Sequence, residues 1–150
     1  MRVDVDPAGR DDEAVGVELA LAPPVDLPDG AKDLYILQDR FGTQFAADVP
    51  ADDARLMAVA QRPITDRALA EGAPAAAWKS VPSWFVYGDR DRNIPPEALA
   101  FMAQRAHARK TVVVKGGSHV VMVSRPHAVS HLIIDAANAA TGAPSDDAAE

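Results

Sequence analysis

The apolar positions of this chain change their spacing along its length, and the changes divide it into zones. Residues 1–30 mix acids with turn formers, Asp11-Asp12-Glu13, Pro23-Pro24 and Pro28-Asp29-Gly30, around one short apolar stretch, which predicts a loosely ordered N-terminal segment. Residues 31–79 are alanine-rich and helical in spacing. Asp52 and Asp53 stand where a helix N-terminus favours negative charge, and Leu56, Met57 and Ala60 fall on one face. Pro63 breaks that helix and a second short one is predicted over Thr65 to Glu71. Residues 80–142 read as strand, helix, strand, helix. Trp84-Phe85-Val86-Tyr87 is an unbroken apolar run, and Pro95-Pro96 presets a helical turn after which Leu99, Met102, Ala103 and Ala106 form a buried stripe ending near His107. Thr111 to Val114 is β-branched without polar alternation, the pattern of a strand covered on both faces. A last helix opens near Ser124-Arg125-Pro126, with Ser124 as its expected N-cap. It aligns Val129, Leu132, Ile133, Ala136, Ala137 and Ala140, and stops at Gly142 and Pro144, leaving 143–150 as a tail. The pattern predicts an α/β unit: two parallel strands joined by a right-handed crossover, with flanking helices.

Composition narrows the class. A chain of 150 residues that is 48% hydrophobic has the size and apolar content of one ordinary domain. Its net charge of -7 disfavours nucleic acid and anionic membranes as partners, because both demand a dense basic face. Cysteine is absent, so disulfides and cysteine metal sites are excluded. The first fifteen residues contain no apolar signal-like core, and no stretch approaches the ~20 apolar residues of a membrane span, so a soluble, cytoplasmic protein is expected.

Candidate chemistry gathers after the two predicted strands. Gly88-Asp89-Arg90-Asp91-Arg92-Asn93-Ile94-Pro95 follows the first and Gly116-Gly117-Ser118-His119 follows the second. Loops after adjacent parallel strands open at the same sheet edge, so an aspartate of one can orient the histidine of the other and leave its second nitrogen free as a base. No G-x-S-x-G occurs in the chain; Ser80, Ser83, Ser124 and Ser130 lack the glycine-flanked turn that exposes a nucleophile, and Ser118 adjoins His119, where neighbouring loop residues rarely present both side chains to one carbonyl. His127, His131 and Asp135 repeat every four residues, which offers a weak alternative metal site. They fall opposite the apolar stripe, where a solvated polar face is expected, and no third ligand is evident, so no metal or other cofactor is assigned.

The segments Phe45-Ala46-Ala47-Asp48-Val49-Pro50, Gln61-Arg62-Pro63, Pro82-Ser83-Trp84, the Gly88 to Pro95 turn and Ser118 to Pro126 give the chain, from about Pro23 to Ala140, a resemblance to the C-terminal part of an α/β hydrolase. The branch resembled holds small esterases and the plant methylesterase and hydroxynitrile-lyase group. The resemblance implies a partial α/β-hydrolase fold with a small helical cap over about 31–79. Laid on the family turn G-x-x-D-x-x-hydrophobic-P, it makes Asp91 the triad acid, Asp89 a turn residue and His119 the base. The family's early strands, oxyanion loop and nucleophile elbow have no counterpart here. The implied function is a serine-type hydrolase of small esters that is inactive as an isolated chain. The alternative is a non-catalytic remnant serving as a binding or assembly module. Expected partners are a small-molecule ester, once the missing parts are supplied, and a second copy meeting the first through an exposed sheet edge.

Overall fold

The structure, a computed structural model, describes residues 2–5, 15–18, 20–72 and 75–142. Strands β1 (Arg2–Val5) and β2 (Val15–Glu18) pair antiparallel. A second small sheet takes β3 (Val25–Asp26), β4 (Lys32–Leu34) and β5 (Ile64–Thr65) in the order β3-β4-β5, all antiparallel. Between β4 and β5 lie α1 (Gln38–Gln44) and α2 (Ala51–Ala60), and after β5 comes α3 (Asp66–Ala70), whose first turn is capped by the Thr65 hydroxyl accepting from the Ala68 amide. A single 3₁₀ turn, Ala77–Lys79, leads into β6 (Trp84–Gly88). The rest is α4 (Pro96–Arg105), β7 (Lys110–Val114), α5 (Val121–Ser124) and α6 (Pro126–Thr141). The tail 143–150 lies outside the described residues, as does the acidic run at Asp11 to Glu13. No described helix is long and apolar enough to cross a membrane.

The parallel pair is as expected, β6 beside β7 in register from Trp84 opposite Lys110 to Gly88 opposite Val114, with α4 as the crossover. Its covering is not. Val112 and Val114 turn inward, but Thr111 is exposed and Val113 is 51% exposed, so one face of β7 is open to solvent. β-Branched residues suit a pleated strand whether or not its second face is covered, which is why the sequence overstated the burial. Ser124 does not cap α6. An extra helical turn, α5, follows the His119 loop and ends at Ser124, whose hydroxyl points back to the Val120 carbonyl, while Arg125 occupies the cap position. Ile133, placed on the inner face by periodicity, is 64% exposed beside the buried Leu132. At its far end α6 closes as predicted, on a left-handed Gly142.

The principal apolar cluster joins the two regions. Phe41 of α1, Ala46 and Val49 of the following link, and Ala54 and Ala58 of α2 enclose Val120, which comes from the loop after β7. The inward residues of α2 are alanines rather than the expected Leu56, which is 71% exposed. The reason is close helix packing. A Cβ at Gly42 of α1 would sit 3.7 Å from that of Ala54, so larger side chains are displaced to the rim of the contact. Met57 and Ala60 border a cavity instead.

Candidate active site

Continuing hydrogen bonds zip together the loops that follow β6 and β7. The Asp89 amide donates to the Val114 carbonyl at 3.1 Å, the Arg90 amide to the Gly117 carbonyl at 3.0 Å, and the Gly116 amide to Oδ1 of Asp89 at 2.6 Å. Asp89 is thus more than a turn former, since its carboxylate ties the two loops. Gly88 and Gly117 are in backbone contact, and a Cβ on Gly88 would fall 2.1 Å from the Gly117 carbonyl oxygen, so no other residue fits there without a shift. Gly116 takes φ +73°, which turns the chain toward His119.

Held this way, Asp91 and His119 meet. Nδ1 of His119 lies 2.8 Å from Oδ2 of Asp91, while Oδ1 accepts from the amides of Asn93 at 2.7 Å and Ile94 at 3.0 Å. The Asp91 side chain is only 4% exposed. Burial pushes its pKa up, but the His119 hydrogen bond, the two backbone amides and the charge of His119 together outweigh burial and hold it below the ordinary carboxylate value. An ionised carboxylate can only accept, so Nδ1 donates the proton to Asp91, and in the neutral form of the imidazole Nε2 keeps its lone pair. Among the described residues Nε2 has no hydrogen-bond partner. The imidazole is 26% exposed and the Phe45 ring packs on it, with centroids 4.8 Å apart and planes at 46°.

A cavity of about 550 Å³, lined by neither Asp91 nor His119, reaches the pair through Phe45 and Asn93. Its walls are largely apolar, with Leu34, Ile36, Phe41, Phe45, Met57 and Leu69, and its polar lining is Gln61, Arg62 and Asn93. Gln61 has no N–H to spare for a ligand, because Nε2 donates to the Ile36 and Ala58 carbonyls while Oε1 accepts from the Ile36 amide, all at 2.9 Å. Asn93 accepts from Nε2 of Gln44 at 3.2 Å, and this bond links α1 to the Asp91 loop. Phe45 and Asn93 therefore touch both the cavity and the Asp91–His119 pair.

No described serine serves this imidazole. Ser80, Ser83, Ser124 and Ser130 direct their hydroxyls to nearby backbone carbonyls, and Ser118, 1% exposed, donates to Oδ1 of Asp48. His127 and His131 lie exposed on α6, and Asp135 of the same stripe pairs with Lys110 at 2.6 Å, so the residues of the weak metal reading do not converge. Phe45, Asn93 and Asp48 carry no role in the sequence reading. Their partners lie tens of residues away, and the one local hint is an aspartate set in the otherwise apolar run Phe45 to Val49.

The fold has counterparts among known structures. Polyneuridine aldehyde esterase superposes with a TM-score of 0.65 at 17% identity, over 78% of this chain and 48% of that one. A histidine-to-alanine mutant of the same esterase gives 0.63 at 17% identity, over 76% and 47%. A tomato methylketone synthase I variant complexed with β-ketoheptanoate gives 0.57 at 18%, over 75% and 45%. The chain spans about half the length of these structures. No curated protein sequence matches it. The alpha/beta hydrolase family model matches residues 2–132, and the chain belongs to that family.

Proposed function

We propose that this chain supplies the acid, the base and the cap of a serine-type hydrolase acting on small esters. The observation that carries the reading is the 2.8 Å contact between Nδ1 of His119 and Oδ2 of Asp91, with Nε2 unbonded among the described residues and the imidazole packed on Phe45, which lines an apolar cavity. In this reading a serine from outside these 150 residues attacks the acyl carbonyl. His119 takes its proton at Nε2 and returns it to the leaving alkoxide, while Asp91 holds the tautomer and stabilises the imidazolium. Backbone amides, also from outside the chain, hold the oxyanion. Residues 31–79 form the cap, whose cavity takes the apolar part of the ester. One neighbouring protein, seen in two structures, is an esterase by name, which favours an ester over other acyl substrates.

A triad without its nucleophile loses on the order of a millionfold in turnover, so the chain alone is expected to be inactive. The test is direct. Incubated with a fluorophosphonate serine-hydrolase probe, the purified chain stays unlabelled, and it hydrolyses p-nitrophenyl acetate no faster than buffer. Stoichiometric labelling at Ser118 or any other serine would contradict the reading.

A second reading, a non-catalytic binding module, is favoured by one observation: every described serine hydroxyl is committed within the fold, while the cavity is walled by the chain itself. Saturable binding of a small apolar ester without turnover, even when the rest of a hydrolase domain is supplied, would select it.

A further inference from the structure

The link between α1 and α2 runs Phe45 to Pro50, and apolar burial fixes it on both sides of one charged residue. Ala46 is 1% exposed and Val49 9%, and between them the Asp48 side chain is 11% exposed. A carboxylate taken out of water is costly unless hydrogen bonds and charges compensate it. Here the compensation comes from the His119 loop. Ser118, immediately before the imidazole, donates its hydroxyl to Oδ1 of Asp48. Oδ2 is buried without a hydrogen bond among the described residues. Its charge faces the Arg125 guanidinium at 3.7 Å, and the Ser124 hydroxyl lies nearby but points to the Val120 carbonyl. Burial raises the Asp48 pKa, but hydrogen bonding, led by the Ser118 hydroxyl, outweighs it and leaves the pKa below the ordinary carboxylate value.

One carboxylate therefore contacts both ends of the segment Ser118 to Arg125, and that segment contains His119 and the core residue Val120. The acid–base chemistry proposed above uses neither Asp48 nor Ser118. We infer that Asp48 is a positioning residue for His119, fixing the imidazole through the Ser118 hydroxyl so that Nδ1 stays on Asp91. The inference rests on the reading of Asp91 and His119 as an acid–base pair.

The test reads the His119 tautomer by long-range ¹⁵N–¹H spectra of the isolated chain under mildly alkaline conditions, a quantity that a merely structural contact leaves alone. In the wild type, His119 carries its proton on Nδ1. If it sits on Nε2 instead, the underlying pair fails, whatever Asp48 does. Given the Nδ1–H form, Asp48→Ala and Ser118→Ala each lower the ratio of Nδ1–H to Nε2–H by roughly three- to tenfold, as expected for loss of one hydrogen bond. Asp48→Asn keeps an acceptor for Ser118 and restores most of the ratio. Unchanged His127 and His131 signals on α6 report that each variant is folded. A folded Asp48→Ala with the wild-type ratio overturns the proposal. If that variant does not fold, Ser118→Ala decides, and a wild-type ratio there overturns it equally. An Asp48→Asn chain as impaired as Asp48→Ala also overturns the route through Ser118.

Discussion

Asp91 combines burial with three well-aligned donors, so its charge is bound up with the folded state. Its pKa is depressed on folding, and the stability it contributes is therefore fully present above the ordinary carboxylate value of 3.8 and is lost as the pH falls through its lower folded value. Asp91→Asn should destabilise the chain by about 1–3 kcal/mol near neutral pH, because bonds to a charged acceptor become bonds to a neutral amide. Urea melts check this, and the gap between wild type and variant should close at a pH below 3.8. Gly88→Ala belongs to the same scale. With a Cβ driven to 2.1 Å from the Gly117 carbonyl oxygen, the two loops must part, at a cost of about 1–3 kcal/mol or more and with loss of the downfield His119 Nδ1 proton. Asp91 and His119 were legible in the sequence because each follows a strand through a glycine turn, where local order dictates position. Asp48 and Phe45 were not, since nothing local links them to residues 118 and 119.

At the scale of elements, α1 and α2 act as a clamp on the His119 loop. Val120 enters their apolar cluster, Phe45 stacks on the imidazole, and Phe41 packs on Phe45 with ring centroids 5.0 Å apart. Gln44 bonds Asn93, and Nη1 of Arg92 donates to the Thr43 carbonyl at 3.1 Å. Phe41, 3% exposed, is the keystone of this contact. Phe41→Ala should cost about 3–5 kcal/mol, read from chemical denaturation, and should broaden the His119 resonances before those of His127. The elements legible in the sequence include α4 and α6 from helical periodicity, β6 and β7 from apolar or β-branched runs, and α2 and the short α3 on either side of the Pro63 break. The β3-β4-β5 sheet was hidden because strands of two or three residues, such as Lys32-Asp33-Leu34, are too short to show a period. The inner face of α2 was misread because its contact with α1 leaves room only for alanine.

At the scale of the whole molecule, the β6–β7 sheet has just two strands, and no described strand pairs with its outer edges. Val113, Met122, Val123 and Ile134 stand about half exposed around it, and Ile133 still more so. Unpaired edges with apolar surroundings invite strand pairing, so the chain alone should self-associate with rising concentration, read by sedimentation velocity. In the proposed function Asp91 and His119 form an acid–base pair waiting for a nucleophile. The most direct test of that function is to mix the chain with a separately expressed N-terminal half of an α/β hydrolase carrying a G-x-S-x-G elbow, and to follow ester hydrolysis. The mixture should hydrolyse the ester where neither part does, His119→Ala should remove that activity by up to about a millionfold, and His127→Ala, exposed on α6, should leave it intact. Hydrolysis by a stable mixed complex that persists unchanged in His119→Ala would contradict the proposal.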